Sequence, residues 1–285
     1  MASTYESAEV VKTAEGRQYH IGLAPDEVAE TCILVGDPAR AGRVAKRFDS
    51  IRCERRNREY VAVTGVYKGA PLTVLATWIG CDNTEIAVVE YCQLVGDGAT
   101  FIRCGSSGAL KPGIALGDLV ISSAAVRLEN TTSYFVVDGY PAFANLDVTA
   151  ALIEACEATR APYHVGITAC APGFYGAQAR KVPGFPPRFP ELPAQLEAMN
   201  VSNFEMETSA LFVLSTLRGV RAGAVCAAYA NRHRNEFIDT ETKDAAESRC
   251  IDAGLKAVEV LRAMDAARAA AGAKHWRPSL GLGKP

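Results

Sequence analysis

The sequence predicts an α/β fold, in which helices flank a sheet, from two observations. Short apolar runs alternate with amphipathic stretches from residue 31 onward, which is typical of strands followed by helices that cover them. Hydrophobic residues make up 49% of the chain and charged residues 22%, so a disordered or collagen-like chain is excluded. At 285 residues the chain has the length of one large α/β domain, and we predict a single domain.

Local patterns place the elements in order along the chain. Apolar runs predict strands at 31–35, 59–66, 72–77, 100–104, 118–123, 164–170 and 223–229. Amphipathic stretches predict helices at about 83–95, 147–159, 205–217 and 241–269. We expect Asp82 or Asn83 to cap the first of these helices, because short polar side chains are preferred at helix N-termini.

Three segments lie outside this pattern. Five of the 14 prolines fall within 181–193, so this insert cannot form a helix or a central strand and is predicted to be an ordered flap or a surface excursion. Residues 1–18 are interpreted as an N-terminal extension before a core of about 19–269. The tail at 271–285 is rich in Gly and Pro, and we expect it to be poorly ordered.

The charge balance and the cysteines exclude several classes of protein. A net charge of -2 gives no overall field that would attract nucleic acid or an anionic membrane, so neither is predicted as a partner. No segment reaches the roughly 18 apolar residues of a membrane span, and the N-terminus does not resemble a signal peptide. The nine cysteines are scattered and form no CxxC pair, which argues against disulfides or structural zinc and favours a reducing, cytoplasmic location.

Arginine and glycine residues lie at or just after the ends of two predicted strands. Ligands of open α/β sheets collect beyond the carboxyl ends of the strands. After 31–35, Gly36 permits close backbone approach and Arg40 can direct several donors at an oxyanion, although a tight turn with a surface arginine explains the same residues. At 100–104, Arg103 precedes Gly-Ser-Ser-Gly, where Ser106 and backbone N–H groups can form an anion-binding concavity. A buried arginine needs an anionic partner, which can equally be a structural ion pair.

Two further segments carry groups suited to an organic ligand. Met206 and Glu207 lie at the start of a predicted helix, where a carboxylate can accept hydrogen bonds from vicinal sugar hydroxyls or simply complement the helix dipole. The loop with Phe174, Gln178 and Arg180 offers an aromatic face, an amide and a guanidinium, which together match a pyrimidine edge. An ordinary surface loop would show the same residue types.

Other sequence patterns narrow the chemistry. The charged stretch at 52–59 is most simply interpreted as a solvated segment. The sequence contains no Walker loop and no complete dinucleotide fingerprint. ATP and NAD chemistry are therefore disfavoured.

Taken in chain order, the motifs resemble those of the nucleoside phosphorylase-I superfamily, most closely its uridine phosphorylase branch, over about residues 19–265. The matching motifs are YHIGL at 19–23, GDPAR at 36–40, REY at 58–60, TWIGCDNT at 77–84, IRCGSSGAL at 102–110, FYGAQAR at 174–180, FEMET at 204–208 and NR at 231–232. The resemblance implies a three-layer α/β/α domain with a central mixed, partly barrel-like sheet.

The resemblance also implies a role for each site residue. The residues implied to bind phosphate are Gly36, Arg40, Arg103 and Ser106, together with Arg58 of the partner subunit. Those implied to bind ribose are Met206, Glu207 and His20 of the partner subunit. Those implied to contact the base are Phe174, Gln178, Arg180 and Tyr229. Those implied to be catalytic are Arg103, Arg180 and Glu207.

The same resemblance implies an activity. The expected reaction is phosphorolysis of uridine, and of deoxyuridine or thymidine, giving uracil and α-ribose 1-phosphate in pyrimidine salvage. Inorganic phosphate is the co-substrate, and no cofactor or metal is predicted. Some relatives hold a monovalent cation between subunits; Glu59 fits that ligand set, but Asn83 stands where a serine would be. We expect a homo-oligomer built from dimers, a hexamer.

Three alternatives stay open at this point. A purine nucleoside phosphorylase is disfavoured because Asn231 stands where purine-specific relatives carry an aspartate. A nucleosidase, which uses water, would not need Arg40 and Arg103 together. A nucleoside-binding homologue without activity is the third alternative, and its best support is the unusual 78–82 loop, which contains Trp, Cys and Asp. Tyr229 is a second departure from the family pattern, because this position is usually aliphatic in the relatives.

Overall fold

The computed structural model describes residue 5 and residues 7–281, and strands and helices alternate along the chain. The strands are β1 (Thr31–Val35), β2 (Ser50–Asn57), β3 (Tyr60–Tyr67), β4 (Ala70–Ala76), β5 (Thr100–Ala109), β6 (Leu119–Arg127), β7 (Ala142–Phe143), β8 (Tyr163–Cys170), β9 (Val201–Glu205), β10 (Arg221–Asn231) and β11 (Glu236–Phe237). The α-helices are α1 (Pro38–Ala45), α2 (Cys81–Val95), α3 (Leu146–Thr159), α4 (Leu192–Ala198), α5 (Thr208–Arg218) and α6 (Thr240–Ala270).

Five of these strands close into a barrel. β10 pairs with β6 on one side and with β5 on the other, and β6, β8, β9 and β5 pair in that order to complete the ring. The rest of the sheet extends from β5 through β1, β4, β3 and β2. Parallel pairs such as β1–β5 occur beside antiparallel pairs such as β5–β9. The expected mixed, partly barrel-like sheet is therefore confirmed.

Helices cover both faces of the sheet because the side chains of a strand alternate between its faces. In β1, Ile33 and Val35 belong to a buried cluster with α1, α3 and α6, whereas Cys32 and Leu34 belong to a cluster with α2 and α5. Burial of apolar surface of this kind is the main favourable term in folding. The expected three-layer α/β/α arrangement is confirmed as well.

Strand β5 is longer than its apolar run predicts. The sequence indicates a strand at 100–104, but residues Thr100–Ala109 all pair with β10. The Gly-Ser-Ser-Gly segment therefore lies inside a strand, and its interpretation as the end of one is wrong. The physical reason is that β10 supplies backbone hydrogen-bond partners along the whole segment.

Sequence patterns also fail to predict β2 and β9. β2 lies at the sheet edge with charged, largely exposed side chains, so it lacks the apolar alternation that marks a half-buried strand. Residue Glu205, expected in a helix, ends β9 instead, because β5 and β8 pair with this segment and α5 begins only at Thr208.

Helix α2 begins without the expected side-chain cap. Its N-cap is Gly80 at φ 105°, and no side-chain hydrogen bond caps it among the described residues, so capping by Asp82 or Asn83 is wrong. Asp82 instead accepts a hydrogen bond from the Thr131 hydroxyl. The backbone N–H of Gly80 donates to the side chain of Glu207.

The segments outside the core have little regular structure. In the insert, Val182 and Phe185 form an isolated bridge, but the last two residues of 181–193 open α4, so the exclusion of a helix is wrong at that end. In the tail, Trp276 packs against the core and Pro278–Leu280 forms a short 3-10 helix. The predicted extension and tail reach into residues outside the described ones, and the division into extension, core, insert and tail stays a prediction.

Three further properties bear on the class of protein. All nine cysteines are free thiols. Within the described residues, none of the helices combines the length and the apolar character that crossing a bilayer requires. In the same part of the chain, no group of His, Cys, Asp and Glu side chains is arranged to hold a metal ion.

Candidate active site

One cavity of about 410 Å³ gathers nearly all of the predicted site residues. It lies where β1 and β4 end and beside the later halves of β5 and β10, as expected for a ligand site in an α/β sheet. The predicted residues that line it are Gly36, Arg40, Arg103, Ser106, Phe174, Gln178, Arg180, Met206, Glu207 and Tyr229. His20 and Arg58 do not line it.

Helix α1 carries Arg40 to the cavity wall. Asp37 caps this helix, its side chain accepting from the Ala39 N–H, and a proline occupies the first turn. Arg40 Nε donates to Glu247 at 3.0 Å, and Nη1 donates to the Cys104 carbonyl at 3.1 Å. Burial acts to lower the pKa of Arg40, but the neighbouring Tyr229 and Glu247 raise it above its ordinary value, so the guanidinium stays charged.

Arg103 is buried in β5 and joins two carboxylates. Its Nε donates to Glu205 at 3.1 Å, and its Nη2 donates to Glu207. Burial alone would lower the pKa of Arg103, but Glu207 and the other anionic groups around it, Glu205 among them, raise it. The ion-pair interpretation of this arginine is therefore correct, and the same side chain also lines the cavity.

The two carboxylates bind different partners. Glu205 accepts from the backbone N–H groups of Glu207 at 2.9 Å and Thr208 at 3.0 Å, so it fixes the start of α5. Glu207 accepts from the Gly80 N–H at 2.7 Å, which ties it to the start of α2. Burial raises the pKa of Glu207, and Arg103 opposes that shift. The charge on Glu207 therefore depends on the arginine beside it.

Glycines allow close packing around these groups. A Cβ on Gly105 would lie 2.8 Å from Arg103 Nη2, so a larger residue would displace the guanidinium from its present position. A Cβ on Gly36 would lie 3.3 Å from the Trp78 carbonyl, in the unusual 78–82 loop. The loop therefore lies directly against the turn that precedes Arg40.

Phe174, Gln178 and Arg180 form a second group on the cavity wall. Arg180 Nη1 donates to Gln178 Oε1 at 2.6 Å and to the Phe174 carbonyl at 2.7 Å, and its guanidinium lies 3.6 Å from the centre of the Phe174 ring. Phe174 is exposed, but Gln178 is buried, so the alternative of a loop with a surface glutamine is wrong at that residue. Burial and the like charge of Arg232 lower the pKa of Arg180 to about 10, which leaves it cationic at neutral pH.

Tyr229 lines the cavity, but its hydroxyl faces Arg40. Arg40 Nη2 donates to this hydroxyl at 3.4 Å, and the hydroxyl donates to Glu247 Oε2 at 3.3 Å. The polar end of Tyr229 therefore lies with the phosphate-site arginine that the resemblance implies. Its predicted contact with a base stays a prediction.

His20 and Arg58 lie outside the cavity, on either side of Tyr19 in the contact network. Both contact Tyr19: its ring meets the His20 ring at 4.8 Å, and its hydroxyl accepts from Arg58 Nη2 at 2.5 Å. His20 Nδ1 lies 2.6 Å from Glu90 Oε1. The two residues that the resemblance assigns to a neighbouring subunit's site thus share a contact with Tyr19 and are absent from the cavity of their own chain.

Asn231 has a structural role in β10. Its Nδ2 donates to the carbonyls of Lys111 at 3.1 Å and Ile114 at 2.8 Å, and its Oδ1 accepts from the Arg234 N–H at 2.8 Å. The side chain does not line the cavity. It is therefore committed to backbone groups rather than to a ligand.

Sequence reasoning misses Glu247 and Gly80 as contributors to the site. Glu247 lies 207 residues from its partner Arg40, so no local spacing could indicate the pair. Gly80 contributes only a backbone N–H, which no motif of side chains reveals. For Glu205 there was a signal, the paired acidic residues of FEMET, but its role as an anchor of Arg103 depends on the fold.

Known proteins resemble this chain along most of its length. The family model described as Phosphorylase superfamily matches residues 30–262. A uridine phosphorylase of Thermococcus kodakarensis is 43% identical over 284 residues, covering 98% of this chain and 99% of that protein. A guanosine phosphorylase of Halorubrum lacusprofundi is 32% identical, covering 74% of this chain and 82% of that protein. A crystal structure of a Trypanosoma brucei nucleoside phosphorylase that shows uridine phosphorylase activity matches with a TM-score of 0.80 at 28% identity, covering 88% of this chain and 99% of that one.

Proposed function

The chain belongs to the phosphorylase superfamily, and we propose that it is a uridine phosphorylase, which uses inorganic phosphate to split uridine into uracil and α-ribose 1-phosphate. One observation carries the proposal: a single cavity is lined by a Gln–Arg pair, a buried glutamate and two arginines. Each of these groups suits a different part of uridine and phosphate.

Gln178 and Arg180 match the edge of a uracil ring. Uracil presents an acceptor, a donor and an acceptor at O2, N3 and O4, so one amide side chain pairs with two of these atoms and a guanidinium donates to the remaining oxygen. The hydrogen bond from Arg180 orients the Gln178 amide before substrate arrives. Phe174 supplies an apolar face against which the ring packs.

Arg180 is also placed to stabilise the departing base. When the N-glycosidic bond breaks, the base leaves with negative charge spread over its carbonyl oxygens. A fixed guanidinium interacts more strongly with that charge than with the neutral base of the bound nucleoside, so it lowers the barrier. With a pKa of about 10, Arg180 is charged at neutral pH, as this role requires.

The remaining residues of the cavity wall suit phosphate and ribose. Arg40 and Arg103 attract the phosphate, with Gly36 and Ser106 beside them. Glu207 accepts hydrogen bonds from ribose hydroxyls, a task that suits an acceptor-only group, and Met206 packs against the sugar. As the sugar becomes oxocarbenium-like, the oriented phosphate attacks C1′ from the face opposite the base, which inverts the configuration and gives the α product.

This reaction needs neither a protein nucleophile nor a cofactor, because phosphate itself forms the new bond.

Deoxyuridine and thymidine are further substrates in the proposal. We place the enzyme in the cytoplasm, in pyrimidine salvage, as a single-domain subunit of a dimer-built hexamer. The free state of all nine cysteines supports a reducing location.

A purine nucleoside is the alternative substrate, and the guanosine phosphorylase relative favours it. The cavity favours uracil instead, because Gln178 and Arg180 lie together on its wall whereas Asn231 is committed to the backbone. Uridine, deoxyuridine, thymidine, inosine, guanosine and adenosine should be assayed in parallel, each with and without phosphate. We expect phosphate-dependent turnover with the highest kcat/KM for uridine; faster turnover of inosine or guanosine would overturn the base assignment.

The phosphate site is expected to need Arg58 of the partner subunit. Within one chain, Arg40 and Arg103, the two arginines assigned to phosphate, are already matched by buried carboxylates in contact with them, so a dianion needs a further cation. Replacing Arg58 with alanine should raise the phosphate KM about tenfold or more, the loss of one charged hydrogen bond, while replacing the exposed Arg56 should change it little. Initial rates at varied phosphate measure both effects.

Subunit mixing tests whether Arg58 acts across an interface. When the Arg58→Ala and Arg180→Ala chains are co-expressed, mixed dimers contain one site with an intact cavity and an intact Arg58. We expect random pairing to restore about a quarter of wild-type activity if sites are shared in a twofold dimer. Activity no higher than the average of the two separate variants would show that Arg58 does not act in trans.

A further inference from the structure

Glu247 is a buried carboxylate behind the cavity wall that the reaction proposed above does not use. It lies on α6, is only 3% exposed, and pairs with Arg40 Nε at 3.0 Å and with Arg43 Nε. A buried charge is costly unless it is paired. Here the pairing joins α6 to α1, the helix that presents Arg40 to the cavity.

The contacts of Arg40 fix its guanidinium at every nitrogen. Nε donates to Glu247, Nη1 donates to the Cys104 carbonyl at 3.1 Å, and Nη2 donates to the Tyr229 hydroxyl at 3.4 Å. The Tyr229 hydroxyl in turn donates to Glu247 at 3.3 Å, which closes a triangle of contacts around one edge of the guanidinium. Because the guanidinium is planar and rigid, these contacts set the direction in which it faces the cavity.

Charge alone does not explain Glu247. A carboxylate beside a phosphate site repels phosphate, so on electrostatic grounds its presence weakens binding. A fixed orientation of Arg40 offsets this cost, since donors that are already aligned lose less freedom when the ligand arrives. Tyr229, which stands where the family resemblance leads us to expect an aliphatic residue, adds a second anchor in this chain.

We propose that Glu247 and Tyr229 are positioning residues for phosphate: they hold the Arg40 guanidinium in the orientation that binds it. The inference rests on the proposed function, in which Arg40 binds the phosphate co-substrate. It assigns the Tyr229 hydroxyl to the phosphate side of the cavity. It also gives α6 a part in the site, although the helix supplies no residue to the cavity wall.

The test separates phosphate recognition from nucleoside recognition. Glu247→Gln and Tyr229→Phe are assayed with phosphate varied at saturating uridine, and with uridine varied at saturating phosphate. We expect the phosphate KM to rise about tenfold for E247Q and about two- to tenfold for Y229F, the ranges for charged and neutral hydrogen bonds. The uridine KM should change by less than about twofold in both variants.

Tyr67→Phe is the matched control. Tyr67 is another strand tyrosine whose hydroxyl donates to a glutamate of α6, Glu259, at 2.9 Å, but it lies outside the cavity. Loss of this comparable hydrogen bond should leave both KM values unchanged. A rise in phosphate KM for Y67F equal to that for Y229F would show that the effect is a general loosening of α6 and would overturn the inference.

The sign of the E247Q effect is decisive. If Glu247 acts only through its charge, removing it should lower the phosphate KM, and that result, or no change, overturns the inference. If E247Q does not fold, Y229F decides: equal increases in the KM values for phosphate and uridine, or no increase, contradict it. If the wild-type enzyme shows no phosphate-dependent turnover, the proposed function and this inference are both refuted. If the wild type does show it but the phosphate KM of E247Q and Y229F equals that of the wild type, the inference alone is refuted.

Discussion

Replacing Arg180 with alanine is expected to lower kcat/KM for uridine by about 10²- to 10³-fold, the usual effect of losing one group that stabilises transition-state charge. The variant loses the hydrogen bond that orients Gln178 and the stacking on Phe174. It also loses the proposed donor to the base carbonyl. Most of the loss should appear in kcat, because in the proposed mechanism Arg180 interacts most strongly with the departing base. Steady-state kinetics at saturating phosphate measure it.

The phosphate KM of the same variant distinguishes this role from general damage. The Arg180 guanidinium donates to Gln178 and to the Phe174 carbonyl, neither of which is assigned to phosphate, so the phosphate KM should change less than about threefold. Arg188→Ala is the matched control, since Arg188 also lies over a phenylalanine ring, at 4.8 Å, but in the exposed insert. Equal losses in uridine turnover and phosphate affinity for R180A would contradict the assignment.

Replacing Glu207 with glutamine is expected to lower kcat/KM for uridine by about 10²-fold. The amide keeps the shape of the side chain, but it removes the charge that accepts from Arg103 and, in the proposed mechanism, from ribose hydroxyls. Hydrogen bonds to charged groups are worth about 1.5 to 3 kcal/mol. The loss should therefore depend on the sugar. Turnover of uridine and of 2′,3′-dideoxyuridine by both enzymes measures that dependence.

The truncated sugar shows whether Glu207 contacts ribose directly. Wild type should discriminate strongly against dideoxyuridine, and E207Q should discriminate much less, because the missing hydroxyls no longer have a charged partner. If E207Q lowers kcat/KM by the same factor for uridine and for dideoxyuridine, Glu207 acts only through Arg103. Glu129→Gln is the control: Glu129 is an equally buried carboxylate, bound to Thr132 and Ser209 outside the cavity, and its loss should affect stability rather than sugar discrimination.

Local sequence predicts those parts of the site whose residues are close along the chain. Gly36 and Arg40 follow one strand within a single turn and helix, and the proline and the capping aspartate between them fix that geometry locally. Gln178 and Arg180 are two residues apart in one loop and hydrogen-bond each other. In such segments the backbone conformation is set by neighbouring residues. Residues that are close in sequence therefore lie together in the site, and the sequence correctly predicts which side chains meet.

Sequence is a poor guide where a distant partner decides the structure. β5 continues to Ala109 because β10 pairs with it, and Glu205 ends a strand because β8 pairs with it, although the acidic pair suggests a helix start. The link from Arg40 to Glu247 spans 207 residues. None of these contacts leaves a periodic pattern, since each one depends on tertiary packing that overrides local propensity.

The requirement for phosphate tests the central claim most directly. Purified enzyme is incubated with uridine, with and without inorganic phosphate; uracil is quantified by chromatography and the sugar product is identified by phosphorus NMR. We predict that uracil is released only when phosphate is present, together with an equal amount of α-ribose 1-phosphate. Release of uracil with free ribose in the absence of phosphate, or binding of uridine with no release of uracil, would contradict the proposed function.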